Sequence, residues 1–344
     1  MNTRVSMSAD EIRLPRRELL RLAGASALGV AAVGLGGDGA EAQQPPKATG
    51  SGTKPAATTV APGAKPLTGY IDAHVHVWTP DVKKYPLAPG FKPADMKPPS
   101  FTPAELMAHA KPCGVDRITL IQMSFYKYDN SYMLDVIKEN PGTYSGVAIV
   151  DHERPDVTAK MLDLAKQGVR GFRLNSVSDA PEKYFAHAGI EAMWKVGAQA
   201  DLKMCLLINP NALPVIDKLC EKYPDTPVVV DHFARIGASG TIADAELAQL
   251  CRLARHKHTY VKVSAFYALG KKMSPYTDLG PMIRLLCETF GPQRLMWASD
   301  CPFQVQEGHT YRDSVDLILK RLDFLNAEDK KHLLTKTAEK VYFA

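Results

Sequence analysis

The sequence predicts a single (β/α)8 TIM barrel, an α/β fold in which parallel strands alternate with helices around one core. Two observations lead to this prediction. After residue 69, short β-branched runs alternate with longer stretches whose apolar residues recur at helical spacing, and the alternation occurs eight times. No glycine-rich dinucleotide fingerprint follows any of the short runs, which disfavours a doubly wound open sheet, the main alternative.

The short runs are predicted to be strands, at residues 70–77, 117–123, 144–150, 169–175, 203–209, 227–232, 259–264 and 294–300. Runs that are apolar throughout, such as Val228–Val230, fit strands covered on both faces. Helices are predicted at residues 103–111, 131–139, 157–166, 190–200, 213–222, 243–255, 281–290 and 327–338. Residues 78–100 are rich in proline and lack an apolar period, which predicts a long loop over the barrel mouth, acting as a lid or a substrate wall.

The first 42 residues are predicted to be an export signal rather than part of the fold. A polar stretch leads to Arg16 and Arg17, an apolar run of small residues follows, and an A-x-A cleavage site ends at Ala42. The paired arginines followed by two leucines resemble a twin-arginine signal, so we expect a periplasmic protein. Residues 43–68 are predicted to be a disordered linker, and residues 69–344 the barrel domain.

Composition limits the partners of this chain. The formal net charge is +5 with lysine and arginine scattered among acidic residues, so nothing favours nucleic acid as a partner and a small-molecule substrate is expected. We expect no stable membrane span after processing, because the apolar run of the signal is short. The six cysteines form no C-x-x-C pair and are expected to be mostly free, buried thiols. The sequence gives no indication of oligomeric state.

The end of the first predicted strand carries the motif Asp72-Ala73-His74-Val75-His76. Residues two apart on a strand point to the same face, so His74 and His76 both project to one side. Two neighbouring imidazoles suit a divalent cation or an anionic substrate oxygen, although a structural role for both remains an alternative.

Two further strand ends carry polar side chains of the same kind. The sixth strand ends at Asp231-His232, and the last strand ends at Asp300, which is followed by Cys301 and Pro302. The C-terminal tip of a barrel strand is where enzymes of this fold keep catalytic groups, so Asp300 is a candidate catalytic carboxylate. Its alternative role is to cap the next helix.

Taken together, these motifs resemble the amidohydrolase superfamily, and more closely its amidohydrolase 2 branch of metal-dependent TIM-barrel hydrolases, over roughly residues 70–344. That branch includes sugar lactonases and 2-pyrone-4,6-dicarboxylate lactonase. The resemblance implies that His74, His76 and Asp300 are metal ligands and that Asp300 takes a proton from water. It also implies that His232 binds a second metal or polarises the substrate carbonyl. One divalent metal, zinc or manganese, is implied, while metal-free catalysis stays open.

One departure from the family pattern concerns the fifth strand, which ends Leu206-Leu207-Ile208-Asn209-Pro210 with no histidine at its tip. A tight zinc site normally needs three protein ligands, so this gap gives weight to groups that could act without a metal. Arg173 and Arg235 could clamp a substrate carboxylate or steady an oxyanion. The weaker candidates for hydrogen bonds to substrate lie near other strand ends and are Asn175, Asn209, Gln122 and Tyr267.

The first functional hypothesis is hydrolysis of a lactone or related cyclic ester of a sugar acid or dicarboxylate, with Asp300 as general base and His232 also catalytic. The alternative enzyme hypothesis is metal-dependent decarboxylation of an aromatic or muconate-type acid, which the missing ligand on the fifth strand disfavours. A binding protein that has lost its chemistry is a third hypothesis, which the Asp300 and histidine combination disfavours.

Overall fold

The computed structural model describes residues 69–344. The predicted export signal, residues 1–42, and the predicted linker, residues 43–68, lie outside the described residues and stay predictions.

The described residues form a barrel of eight parallel strands in the order in which they follow one another along the chain. The strands are β1 (Tyr70–Val75), β2 (Val115–Ile121), β3 (Tyr144–Ala148), β4 (Val169–Ser176), β5 (Lys203–Ile208), β6 (Val228–Val230), β7 (Thr259–Val263) and β8 (Leu295–Trp297). All eight predicted strands are confirmed, with β6 and β8 shorter than their apolar runs. The first and last strands meet where the Asp300 N–H donates to the His74 carbonyl and the His76 N–H donates to the Cys301 carbonyl, at 2.9 and 2.8 Å.

Helices cover the outside of the barrel between the strands. They are α1 (Pro103–Ala110), α2 (Ser131–Glu139), α3 (Val157–Lys166), α4 (Pro181–Phe185), α5 (Ala188–Ala200), α6 (Leu213–Lys222), α7 (Asp244–Arg252), α8 (Gly280–Phe290), α9 (Tyr311–Asp316), α10 (Ala327–Lys331) and α11 (Thr337–Tyr342). The single helix predicted at 327–338 is present as two shorter helices, α10 and α11, because a π-helical turn, His332–Lys336, separates them. The short helices α4 and α9 are additional to the prediction.

Local sequence explains where several helices begin. Thr102 and Glu105 form a capping box at the start of α1, in which each side chain satisfies a free backbone N–H of the first turn. Asn326 does the same with Asp329 at the start of α10. These caps, rather than propensity alone, define the ends of two helices whose exposed faces are polar.

The inside of the barrel is apolar at its lower end and polar at its mouth. Inward side chains of the strands form one buried cluster that includes Ile71, Val147, Val229, Tyr260 and Met296. Three residues of the C-terminal segment, Ala338, Val341 and Tyr342, belong to the same cluster. Helix α11 therefore closes the end of the barrel that lies opposite the C-terminal tips of the strands.

The long segment after β1 forms one side of the mouth. Trp78 is fully buried, pairs through its backbone with Phe101, and donates its indole N–H to the Pro98 carbonyl at 2.8 Å. Its ring contacts Phe125 edge to face, with ring centroids 5.4 Å apart. The predicted loop is thus present and brings aromatic side chains to the barrel mouth, while its role as a lid or a substrate wall stays a prediction.

The cysteine prediction is confirmed. All six thiols are free, and four of them are buried: Cys113, Cys205, Cys220 and Cys301. Across residues 69–344, no helix combines the length and the apolar character that crossing a membrane requires.

Candidate active site

The C-terminal tips of β1, β6 and β8 bring four of the predicted residues together at the barrel mouth. Nε2 of His74 and Nε2 of His76 are 3.3 Å apart. Oδ1 of Asp300 lies 3.5 Å from the first nitrogen and 3.4 Å from the second. His232 joins from the other side, with Nε2 at 3.8 Å from Oδ2 of Asp300. All four residues are buried, with at most 5% of any of them exposed.

A carboxylate below the site, that of Asp72, fixes the register between β1 and the segment after β8. Its Oδ1 accepts the backbone N–H groups of Ser299 and His74, at 2.9 and 3.2 Å, and its Oδ2 accepts the Tyr311 hydroxyl at 2.7 Å. The strand pairing shifts register between Asp72 and Val75. This irregularity lets two successive histidines of the motif face the interior above Ile71 and the other inward residues. Burial raises the pKa of Asp72 to about 6.

The loop after β6 has an unusual backbone that places His232 and Arg235 together. The four residues from His232 to Arg235 all have positive φ, between 50° and 61°, although none is glycine. Such a left-handed turn costs roughly 1–2 kcal/mol per residue. Its middle residues, Phe233 and Ala234, are fully buried, and this packing holds the turn in place. The outer residues of the turn both face the mouth.

Asp300 also adopts a left-handed backbone, with φ of 63°. Its Oδ2 accepts the Tyr267 hydroxyl at 2.7 Å, while its Oδ1 accepts no hydrogen bond from any described residue. Burial alone would raise the pKa of this carboxyl, but the adjacent His232, His76 and His74 hold it below the usual range. Asp300 is therefore an ionised, buried carboxylate with one oxygen available.

The partners of the histidines define which ring nitrogens face the mouth. Nδ1 of His76 lies 2.9 Å from the Ile121 carbonyl, which can only accept, so in the neutral ring this nitrogen carries the proton and the lone pair is on Nε2. Nδ1 of His232 lies 2.8 Å from the Ser264 hydroxyl oxygen, and this hydroxyl is also 3.4 Å from the Lys262 carbonyl, to which it can donate. If the hydroxyl donates to Nδ1 of His232 instead, the neutral ring carries its proton on Nε2. Burial lowers the pKa of His232, which favours the neutral ring.

Two charged residues that the sequence analysis did not include in the site lie directly beneath it. Lys262 on β7 and Asp231 after β6 are both fully buried, and Lys262 Nζ is 3.0 Å from Asp231 Oδ1. Burial and the Lys262 charge together lower the pKa of His74, which touches both residues. The sequence could have indicated that Lys262 has a role inside the barrel. It lies between Tyr260 and Ser264 on the inward face of a buried strand, and a buried lysine needs a partner of opposite charge.

The predicted substrate-binding residues fall into two groups. Arg235 donates to Oδ1 of Asn209 at 2.8 Å, and Asn209 in turn donates to the Val177 carbonyl at 3.2 Å, so this pair is fixed at the tips of β5 and β6. Burial lowers the pKa of His232, and the charge of Arg173 adds to this lowering, while the buried Nε–H of Arg173 donates to none of the described residues. Both guanidinium groups are thus on the side of the mouth that faces His232.

The other two predicted substrate-binding residues lie differently. Asn175 is exposed two residues beyond Arg173 on β4. Gln122 is buried, and its amide donates to the carbonyls of Lys127 and Asp129 at 3.3 and 2.6 Å, which holds the loop after β2. The structure does not bring Gln122 to the histidine cluster. Gln122 was predicted to bind substrate because it lies just beyond the end of a strand. The alternation of side chains along that strand turns Gln122 away from the barrel interior.

Aromatic residues line the opposite side of the mouth. Phe303 lies edge to face against His76, with ring centroids 5.8 Å apart, and also contacts Trp78 and Tyr267. The site therefore has an apolar wall next to His76 and a cationic wall next to His232.

The donor atoms of the cluster fit a divalent cation. Zinc bonds of about 2.0–2.1 Å in a tetrahedral site place neighbouring ligand atoms roughly 3.3–3.4 Å apart. The three distances among His74 Nε2, His76 Nε2 and Asp300 Oδ1 are 3.3, 3.5 and 3.4 Å, close to one face of such a tetrahedron. A wider set that replaces His76 with His232 also keeps its ligand atoms within 4.8 Å of one another. The unpaired Oδ1 of Asp300 supports the same conclusion.

A (β/α)8 barrel that gathers histidines and an aspartate at the C-terminal tips of its strands is the arrangement of a water-activating hydrolase. The chain belongs to the amidohydrolase family, whose model matches residues 71–344. Two curated relatives are an L-fucono-1,5-lactonase of Burkholderia ambifaria and a 2-pyrone-4,6-dicarboxylate hydrolase of Comamonas testosteroni. The first is 27% identical over 71% of this chain and 83% of its own length. The second is 29% identical over 82% of this chain and 92% of its own length.

A solved structure confirms the fold. An amidohydrolase from Burkholderia multivorans with bound zinc has a TM-score of 0.66 and 19% identity, covering 79% of this chain and 98% of the other. At this identity the likeness concerns the barrel alone, and the chemistry of the present site has to be argued from its own residues.

Proposed function

We propose that this protein hydrolyses a lactone, by attack of water on the ring carbonyl with Asp300 as general base. The observation that carries the proposal is the buried Asp300 carboxylate, ionised and with Oδ1 unpaired among the described residues, surrounded by three imidazoles. The names of the relatives, a fuconolactonase and a pyrone dicarboxylate hydrolase, support a cyclic ester as the substrate.

The residues of the mouth divide the work of ester hydrolysis between them. Asp300 takes a proton from water as the water oxygen bonds to the carbonyl carbon. In the tautomer with its proton on Nε2, His232 donates to the oxygen that becomes negative. The tetrahedral intermediate then collapses, the ring C–O bond breaks, and the alkoxide that leaves takes back the proton held by Asp300. The product is an open-chain hydroxy acid, and no other reactant is consumed.

We propose a divalent cation, zinc or manganese, as the cofactor, held by His74, His76 and Oδ1 of Asp300, with Oδ2 of Asp300 as the oxygen that takes the proton from water. When bound, such an ion lowers the pKa of a bound water and polarises a carbonyl oxygen. The near-tetrahedral spacing of the three donor atoms supports this proposal. The missing histidine on β5 leaves three protein ligands and room for water or substrate.

The substrate is proposed to be the lactone of a sugar acid or a dicarboxylate, bearing an anionic group. Arg235, fixed by Asn209, and Arg173, with its Nε unpaired among the described residues, can hold a carboxylate on the His232 side. The aromatic wall of Trp78 and Phe303 can pack against the flat face of the ring.

The test is a panel of lactones, neutral and carboxylate-bearing, assayed for acid release with the purified protein and with Asp300→Asn. We expect turnover of at least one carboxylate-bearing lactone, and a loss of at least about a thousandfold in kcat for the variant because it lacks the base. Absence of turnover over the panel, or a variant as active as the original protein, contradicts the proposal. Carbon dioxide release from aromatic or muconate-type acids, measured on the same samples, would favour the decarboxylase alternative.

The proposed metal site is tested by metal content and affinity. His76→Ala removes one proposed ligand, and His109→Ala removes an exposed histidine on α1 as a matched control. We expect about one zinc or manganese per chain in the original protein and in the control, and a large loss in His76→Ala. Equal metal content in all three samples would place the ion elsewhere.

We propose that the protein acts after export to the periplasm, on the strength of the paired Arg16 and Arg17 and the apolar run that follows. Replacing both arginines with lysine should retain the protein in the cytoplasmic fraction, as measured by cell fractionation. An unchanged distribution would argue against a twin-arginine signal.

A further inference from the structure

A lysine stands inside the barrel directly under the proposed metal site. Lys262 is on β7 with none of its surface exposed, on the same inward face as Tyr260 and Ser264. Its ammonium lies 5.3 Å from the ring centre of Tyr342, which belongs to the helix that closes the bottom of the barrel. A fully buried lysine is rare and requires compensating contacts.

The compensating contacts of Lys262 are Asp231 and His74. The ammonium nitrogen is 3.0 Å from Oδ1 of Asp231 and 3.2 Å from Nδ1 of His74. Oδ1 of Asp231 is itself 3.4 Å from the same Nδ1. The Asp231 carboxylate accepts no hydrogen bond of regular geometry from the described residues, so the ion pair with Lys262 and the close contact with His74 stabilise it. The three side chains form a closed triangle that is shielded from solvent.

Nδ1 of His74 therefore has two partners that require opposite proton positions. An ammonium can only donate, so a bond from Lys262 leaves Nδ1 without a proton and places the proton on Nε2. A carboxylate can only accept, so a bond to Asp231 places the proton on Nδ1 and leaves the Nε2 lone pair free. Nε2 is the atom that faces His76 and Asp300.

The first arrangement satisfies every nitrogen without a cation. Lys262 donates to Nδ1 of His74, and Nε2–H of His74 donates to the Nε2 lone pair of His76, 3.3 Å away. His76 in turn donates from Nδ1 to the Ile121 carbonyl. A cation requires the second arrangement, because it must bind the Nε2 lone pair of His74.

We propose that Lys262 is an internal cation that competes with the divalent metal ion for His74, and that Asp231 favours the metal-binding form. This inference rests on the proposed metal site. When the ion binds, His74 loses a proton from Nε2 and gains one on Nδ1, so its net charge does not change. Lys262 keeps its charge and its ion pair with Asp231 throughout. Lys262 is thus a positioning residue that weakens metal affinity, and Asp231 one that strengthens it.

The test compares zinc dissociation constants, measured by competition with a chromogenic chelator, for the full protein and four variants. Lys262→Met and Lys262→Gln remove the competing charge, and Asp231→Asn removes the carboxylate. Lys203→Met is the matched control, because Lys203, the first residue of β5, is also a buried lysine, and its Nζ is 3.0 Å from Oδ2 of Asp201, which precedes the strand. Circular dichroism and thermal unfolding show which variants are folded.

The proposal predicts effects of opposite sign. Both Lys262 variants should bind zinc about tenfold or more tightly, since a positive charge close to the ion is gone. Asp231→Asn should bind about 10–100-fold more weakly, in the range typical of residues that orient a metal ligand. Lys203→Met should bind as the original protein does. Folded Lys262 variants that bind zinc no more tightly than the original overturn the proposal.

A second measurement does not depend on metal binding or on turnover. Nitrogen-15 spectra of labelled histidine, with His74 assigned by its substitution, report which ring nitrogen carries the proton in metal-free protein. We expect the proton on Nε2 in the original protein and a shift towards Nδ1 in Lys262→Met. A proton on Nδ1 in both overturns the proposal. Because this readout uses no lactone, failure of the lactonase assay leaves it unaffected.

Discussion

The Tyr267 hydroxyl donates a 2.7 Å hydrogen bond to Oδ2 of Asp300, the carboxylate at the centre of the site. Tyr267 follows a left-handed residue at the tip of β7, Ala265, so its position is set by the same kind of backbone turn that ends β6 and β8. Burial and the Asp300 charge raise the pKa of Tyr267 far above its ordinary value, so the phenol keeps its proton. Its role is to orient the carboxylate and leave Oδ1 for other partners.

Tyr267→Phe should therefore lower kcat for lactone hydrolysis by about tenfold to a hundredfold, with little change in KM. The estimate follows from a hydrogen bond to a charged group, worth about 1.5–3 kcal/mol. Tyr276→Phe is the control, because its hydroxyl bonds to Nδ1 of His309 at 2.7 Å and not to Asp300. Steady-state kinetics of the three proteins measure kcat and KM. A Tyr267 variant with unchanged kcat would show that the phenol does not orient the base.

The buried carboxyl group of Asp72 should make the free energy of unfolding depend on pH. Burial raises its pKa to about 6, above the value of about 3.9 in an unfolded chain. A carboxyl with a raised folded-state pKa favours folding below the unfolded pKa, and that contribution is lost as the pH rises through the folded pKa. The free energy of unfolding should thus fall between about pH 4 and pH 6, by up to about 3 kcal/mol from this group.

Asp72→Asn should reduce this fall, because the amide oxygen can still accept the N–H groups of Ser299 and His74 while nothing ionises. Urea unfolding at several pH values measures it. Asp81→Asn, at an exposed position, is the control and should keep the pH dependence of the original protein. Parallel curves for Asp72→Asn and the original protein would mean that Asp72 does not titrate in this window.

The barrel itself could be predicted from the sequence because its strands are locally encoded. Every residue of a run such as Val228–Val230 is apolar, which favours a strand that is buried on both faces. In the helices between the strands, apolar residues recur at helical spacing. The pairing of His74 with His76 was also predictable, since it needs only the alternation of a strand. Convergence of these histidines with Asp300 followed from the rule that parallel strands of a barrel end at one mouth.

The triangle of Lys262, Asp231 and His74 could not be predicted in the same way, because its members come from three strands and their contact depends on barrel register. Asp231 was visible only as the neighbour of His232. Gln122 shows the opposite case, a polar residue near a strand end that the alternation turns towards its own loop. Local position identifies candidates, and only the tertiary structure determines their partners.

The left-handed turn after β6 gives a prediction about stability. Sequence reasoning did not find it because Phe233 and Ala234 carry none of the glycine signal that positive φ normally requires. At Ala234, φ is 55°, and a glycine there would relieve roughly 1–2 kcal/mol of strain. The relief should offset the lost methyl group and the added backbone entropy, so Ala234→Gly should leave the free energy of unfolding nearly unchanged.

The comparison is Ala165→Gly, a buried position in α3 with no strain to relieve. That variant should lose about 1–2 kcal/mol from the lost methyl group and the entropy of glycine in a helix. Urea unfolding of both variants measures the difference. Equal losses would show that the turn after β6 is not strained.

The two arginines of the mouth predict how substrates are discriminated. Arg235 is already fixed by Asn209, so it can bind an anion with little further loss of side-chain freedom. Arg173→Met and Arg235→Met should each raise KM for a carboxylate-bearing lactone by about tenfold to a hundredfold, the equivalent of one lost charge-assisted hydrogen bond. The KM for a neutral sugar lactone should change little. Arg154→Met, which removes an exposed arginine paired with Asp156, is the control for loss of charge. Equal effects on acidic and neutral lactones would mean that these arginines support the loops of the mouth and do not recognise the carboxylate.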